Sequence, residues 1–398
     1  MKQREAPLGQ RPENLTRTEL EMKISHLSAE LARAKVRGIH LAQEGAMRWL
    51  TGIRHQINDI APDAASPVQA LIRQSGSVLD IAFVTTRIEM PRIRDQVPEA
   101  FAGIAGVGIS FQETQPSLAA DVLAPSAPAY AEVVGRIVRP LLGGLSGNQH
   151  AKLAWLSAAT TVVMAETARE LAPGMNGAEV RARLLENLLR RDIDCNLVLV
   201  ALAGQETHFH PLWDARYRIE KDCWVKLVAG ARFAEMFVSA TIMLKLGSPA
   251  AEGARKAYRA LQEGCVEYAD CYRNGAAESH IFEEIGRRFA ALEAKHGIVG
   301  FAACAYAHHL GGPTSPLGNR DFLIEKGGRR SMFPWMQFAI NPVETLFNTK
   351  VELQGVVLPD GAPHMLDISS FTPPDLMSFS EIVSSGGTRA KVADILQR

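Results

Sequence analysis

Near the start of the chain, Leu20, Ile24, Leu27 and Leu31 recur at helical spacing, with acidic side chains early and basic ones late. The pattern predicts one amphipathic helix over residues 18–35. A short strand at 38–41, a helix at 44–49 and a stop at Leu50-Thr51-Gly52 follow. Apolar runs at 78–85 and 104–110 predict further strands of the same small sheet. The glycine-rich segment Pro140-Leu-Leu-Gly-Gly-Leu-Ser-Gly147 is the expected boundary, dividing an N-terminal α/β sandwich (1–147) from a C-terminal domain (148–398).

Past that boundary the apolar pattern lengthens. Helices are expected at 151–171 and, after the capping pattern Asn176-Gly-Ala-Glu179, at 180–190. The runs 196–203, 224–231 and 232–246 predict buried strands, and two more amphipathic helices fall between 248 and 295. Segments 301–310, 335–340, 350–358 and 364–368 read as strands joined by polar loops. The fold class expected is α/β (α+β), with the second domain made of helices packed on a curved, mainly antiparallel sheet. Only the first dozen residues and the last stretch look loose.

Length agrees with this division, because 398 residues exceed the roughly 250–300 at which single cores stop growing. Lysine plus arginine equals aspartate plus glutamate at 43 each, so no global field draws the chain to nucleic acid or to anionic membranes. The charged start lacks a signal-peptide core, and no apolar run reaches the roughly 20 residues of a membrane span. A cytoplasmic protein is expected. Its five cysteines contain no CxxC pair and read as reduced thiols.

Two histidine clusters carry the candidate chemistry. In Gln205-Glu-Thr-His-Phe-His-Pro211, an extended chain turns His208 and His210 to one face, where two imidazoles converge on a substrate or metal. In His308-His309-Leu-Gly-Gly-Pro-Thr314, the glycines permit close backbone approach, and adjacent strand positions send at most one histidine into a pocket. Arg320 is suited to clamp a carboxylate. Glu352 alternates with Val351 and Leu353, facing away from them. GxGxxG, P-loop, GxSxG and HExxH patterns are all missing, which removes support for nucleotide binding, ordinary serine hydrolysis and zincin chemistry.

The order of segments resembles the creatinase/prolidase/aminopeptidase P family. The resemblance rests on Trp49-Leu-Thr-Gly52, Arg218-Ile-Glu-Lys221, the strands over 224–246, His308-His-Leu-Gly-Gly-Pro313, Ala339-Ile-Asn-Pro342 and Asn348-Thr-Lys-Val-Glu352. It implies a creatinase-like N-terminal domain followed by a pita-bread domain, and a homodimer. Metallopeptidases of this family hold two metal ions with two aspartates, one histidine and two glutamates. Here the first aspartate position falls within 228–230, which holds no carboxylate, the second on Ser239 and the first glutamate on Asn341, while His308 and Glu352 match. Three lost anionic ligands leave too little negative charge to hold two divalent cations against their hydration.

The expected function is metal-independent hydrolysis or lysis of a C–N bond in a small polar metabolite, with no cofactor. Creatinase, a metal-free member, uses a histidine that His208 or His210 matches within one residue; its two supporting glutamates fall on Thr241 and Asn341. Catalytic roles are expected for His210, His208, His308 and Glu352. Substrate contacts are expected from His309, Arg320, Asn341, Ser239 and Thr241. Two alternatives stay open: a non-catalytic binding protein of the same fold, and a residual proline peptidase with one metal held by His208, His210, His308 and Glu352.

Overall fold

The computed structural model describes residues 10–55, 65–113, 118–205, 210–211, 213–307, 311–317 and 323–398, with backbone only at 98–100. The first helix, α1 (Arg17–Arg33), starts where the Thr16 hydroxyl accepts the Glu19 N–H at 3.2 Å. It buries Leu20, Leu27 and Leu31, the stripe its period marked out. Then come β1 (Gly38–Gln43), α2 (Glu44–Thr51), β2 (Ala65–Ser75), β3 (Val78–Thr85), α3 (Met90–Phe101), β4 (Val107–Gln112), β5 (Val122–Leu123) and α4 (Tyr130–Val138). The strands form one sheet in the order β4-β3-β2-β1-β5, and its core runs from Leu20 to Val138.

The second half opens with α5 (Asn148–Glu170) and α6 (Gly177–Leu189), the latter with the expected capping box between Asn176 and Glu179. Strands β6 (Asp194–Ala201), β7 (Cys223–Phe233) and β8 (Met236–Leu246) form an antiparallel meander, followed by α7 (Glu252–Cys271) and α8 (Glu278–His296). Short strands complete the chain: β9 (Gly312–Thr314), β10 (Gln337–Ile340), β11 (Val343–Glu344), β12 (Thr349–Lys350), β13 (Leu353–Val356), β14 (His364–Met365), β15 (Phe379–Val383), β16 (Arg389–Ala393) and β17 (Leu396–Gln397). One sheet runs β17-β8-β7-β6 and another β14-β13-β10-β9.

Alternation decides which side chains line the interior of this half. On β7, Val225, Leu227, Ala229 and Ala231 join the core under α5 and α6. On β10 and β13, Phe338, Ile340 and Leu353 join the core under α7 and α8, with Phe338 stacked on Tyr272 at 4.7 Å between ring centres. The opposite faces, carrying Lys226, Ser239, Thr241, Asn341 and Glu352, are left for the site.

Several sequence expectations need correction. Residues 301–306 are a 3-10 helix, not a strand, and the buried positions Phe301, Cys304 and Ala305 show the helical spacing that was misread. The fourth strand starts at Val107 rather than 104. The strand expected from 224 runs on to Phe233, and the chain reverses at Ala234, which takes φ 48°. The last stretch is ordered: β15 and β16 pair as a hairpin through buried Ile382, Ala390 and Val392, and β17 lies parallel to β8.

Two polar joints and one close backbone approach connect the halves. Lys23 and Glu19 of α1 meet Lys152 of α5 and Glu235 of the β7–β8 turn, all four buried. Arg48 of α2 and Arg54 both bond Asp194 of β6, at 3.0 and 2.9 Å. At Gly45 of α2, a side-chain carbon would lie 1.9 Å from the carbonyl oxygen of Pro316, so this contact with the loop after β9 requires glycine.

Candidate functional site

The β7–β8 register sets Lys226 opposite Met243, Val228 opposite Thr241 and Gly230 opposite Ser239. Directly opposed residues of an antiparallel pair share a face, so Lys226, Ser239 and Thr241 project to one side. Glu352 meets them there. It accepts hydrogen bonds from the Ser239 hydroxyl on Oε1 and from the Thr241 hydroxyl on Oε2, both at 2.7 Å. Gln354 seals the seam between the two sheets by donating to the Ser239 carbonyl at 2.5 Å. Beside that seam lies a cavity of about 30 Å³, bounded by Ser157, Thr161, Tyr258, Ser239, Thr241 and Glu352. That is room for a water molecule near the carboxylate.

Two lysines dominate the electrostatics. The Lys350 ammonium stands 3.2 Å from Glu352 Oε1, and the two side chains are only 2% and 1% exposed. Lys226 is also buried and donates to Asn348 Oδ1 at 3.0 Å. Burial, and then the positive charge of Lys350, bring the Lys226 ammonium down to about 7. His210 is exposed to solvent on one side, yet burial of its ring and the charges of Lys350 and Lys226 lower its pKa from the ordinary 6.5, with Glu352 opposing. It is therefore a neutral imidazole at pH 7, able to take a proton.

The structure thus brings together four of the residues singled out from sequence: Ser239, Thr241 and Glu352 in direct contact, and His210 within reach of the Glu352 charge. Asn341 sits one residue beyond the Ile340–Leu353 pairing that ends the β10–β13 ladder. It is 3% exposed, and its Oδ1 has no hydrogen-bond partner among the described residues. His208, His308, His309 and Arg320 lie outside the described residues. Of the two glycines after the second histidine pair, Gly311 has φ 74°, and a side-chain carbon there would come 2.3 Å from the Ala339 carbonyl. Its smallness serves the crossing of backbone over β10.

Lys226 and Lys350 were not among the sequence candidates. The signal was present in Trp224-Val-Lys-Leu-Val-Ala-Gly230, where a lysine interrupts a buried strand and so requires a polar environment.

The pair of metal ions implied by the family resemblance does not fit these residues. Residues 228–230, Ser239 and Asn341 supply no anionic donor. The remaining carboxylate already takes two hydroxyl bonds and an ammonium. A pair of hard divalent cations needs the reverse, a surplus of anionic oxygen. Among the described residues, no three His, Cys, Asp or Glu side chains are grouped so as to hold a metal ion. No helix of the described residues is long and apolar enough to cross a membrane.

Comparison with known proteins points the same way for the fold. The model of metallopeptidase family M24 matches residues 153–366. No curated protein matches the sequence. Among solved structures, dipeptidase PepE from Mycobacterium ulcerans is similar with a TM-score of 0.60 at 16% identity, covering 90% of this chain and 97% of that one. The Xaa-Pro dipeptidase from Bacillus anthracis gives 0.59 at 14%, covering 87% and 97%. The prolidase from Pyrococcus furiosus gives 0.60 at 12%, covering 84% and 97%.

Proposed function

The chain belongs to metallopeptidase family M24, and from that premise we propose that it is a hydrolase of the pita-bread fold that has replaced metal chemistry with imidazole chemistry. Its substrate in this reading is a small polar metabolite with a cleavable C–N bond. The observation that carries the proposal is the ammonium of Lys350 against Glu352, where the family's metallopeptidases place cations.

His210 is assigned as general acid and base. As water attacks the carbon, a C–O bond forms and His210 takes the water's proton; as the C–N bond breaks, it returns that proton to the departing nitrogen. Asn341 offers an unpaired amide oxygen to a substrate N–H. Glu352, with Ser239 and Thr241, holds Lys350 in place, and burial together with the charges of Lys350 and Lys226 keeps His210 neutral. His208, His308, His309 and Arg320 complete the proposed set, His308 polarising the substrate and Arg320 binding its charged end. The resemblance to dimeric family members extends the proposal to a homodimer in the cytoplasm.

The test is turnover by protein stripped of metal with a chelator, on a panel of guanidino, ureido and amide compounds. Cleavage is expected without added metal, and His210→Ala should lower kcat about 100-fold, within the range of general acid–base catalysis. Activity that returns only with Mn²⁺, Co²⁺ or Zn²⁺ would instead establish a metallopeptidase.

The pH profile is a second check. Because His210 is the base and its pKa is lowered, the acid limb of kcat/KM should lie below pH 6.5. Lys226→Met removes one of the charges that lower it, so the limb should move to higher pH. A limb that stays fixed would mean that a different group is the base.

A further inference from the structure

Several buried polar atoms of the second half lack a hydrogen-bond partner among the described residues, and three of them belong to the start of α5, β10 and β9. His364 at the start of β14 pairs with Val356 of β13, Val356's strand neighbour on the other side is Gln337 of β10, and Gln337 pairs with Thr314 of β9. These four residues form one row across the sheet, with side chains on the same face. Val356 belongs to the core under α5, so the row looks toward that helix. There, in its first turn, the ring of His150 lies 5.4 Å from the ring of His364, centre to centre, with the planes inclined at 54°.

Three atoms in this patch are buried without a hydrogen-bond partner among the described residues: His150 Nε2, Gln337 Oε1 and Thr314 Oγ1. Native interiors leave few polar atoms unmet, and each calls for a reason such as an ion. Gln337 Oε1 can only accept, Thr314 Oγ1 can do so, and His150 Nε2 does when the proton sits on Nδ1. A cation is one group that satisfies a buried imidazole nitrogen left as an acceptor.

We propose that His150 and His364 form a binding site for one borderline transition-metal ion, Zn²⁺, Cu²⁺ or Ni²⁺, separate from the Glu352 site. The ring spacing supports this. At a Zn–N distance of about 2.1 Å, each ring centre lies roughly 3.2 Å from the metal, and two rings at a tetrahedral angle stand ~5.2 Å apart. Burial keeps both imidazoles below their ordinary pKa, so each has a lone pair to give at neutral pH. Neutral nitrogen donors without a carboxylate select these ions over Mg²⁺ and Ca²⁺. Water completes the coordination.

The experiment titrates tag-free, chelator-stripped protein with zinc chloride by calorimetry. One saturable ion per chain is expected, with affinity lowered about tenfold or more by His150→Gln and by His364→Gln, and unchanged by Glu352→Gln. No saturable zinc, or zinc bound equally well by both histidine variants, overturns the proposal. Zinc lost in Glu352→Gln alone overturns it as well, and the metal-free reading of the other site with it. Should either histidine variant fail to fold, Cu²⁺ bound to the unaltered protein decides: paramagnetic resonance with coupling to two nitrogens supports the pair, and coupling to fewer excludes it.

Discussion

Glu235→Gln should cost the folded chain about 3–5 kcal/mol in a urea titration, the range for breaking a buried ion pair from one side. Glu235 is 0% exposed, and both its oxygens bond the Lys152 ammonium, at 2.7 and 2.8 Å. Lys23 lies 3.2 Å away and Gln149 donates from 3.1 Å. Glu19 completes the set, 2.6 Å from Lys23 and 2.9 Å from Lys152. Two ammoniums and two carboxylates balance in a buried space; removing one carboxylate leaves a net positive charge there. The double variant Glu235→Gln/Lys152→Met restores neutrality and should recover part of the loss. A single-variant loss below about 1 kcal/mol would show the cluster behaving as an exposed pair does. The two ammoniums hold the Glu235 carboxyl well below its ordinary 4.5. Its contribution is therefore fully present above pH 4.5 and fades as acid approaches the lower folded value.

This cluster marks the limit of what the sequence discloses. The period in α1 and the apolar runs of β7 and β8 were legible because each is a local pattern with a single solution. The ion cluster is not local: Glu19 and Lys152 are separated by 133 positions, and neither carries a mark of its partner. Segment 301–306 was misread because six residues with buried positions at 301, 304 and 305 are too few to separate a helical from a strand period. The hairpin of β15 and β16 gives no clear period because its strands are five residues long and bury only Ile382 on one and Ala390 and Val392 on the other. At the site, the order of segments singled out Ser239, Thr241 and Glu352, and the fold sets their side chains in contact. The lysines beside them were not among the candidates. Lys226 interrupts an apolar run and so carries a local mark, whereas Lys350, in Asn348-Thr-Lys-Val-Glu352, reads as a surface residue that the fold alone puts inside.

Lys350→Met has the largest expected effect within the site. It removes the cation 3.2 Å from a carboxylate whose side chain is 1% exposed, leaving Glu352 held by the hydroxyls of Ser239 and Thr241. A buried charge stripped of its counter-ion costs about 3–5 kcal/mol, while removing both partners can be nearly neutral. The double variant Lys350→Met/Glu352→Gln should accordingly be more stable than Lys350→Met alone, by 1 kcal/mol or more on the order expected for coupled contacts. Lys350 also lowers Lys226 and His210. Without it both should titrate at higher pH, which imidazole proton resonances would register for His210. If Glu352 served a metal ion instead, the ammonium would be its competitor, and Lys350→Met would strengthen Mn²⁺ binding to a protein that already bound it. A wild-type chain that takes up Mn²⁺ in a Glu352-dependent way, with Lys350→Met at no cost in stability, would therefore reverse the assignment of Lys350 from resident cation to bystander.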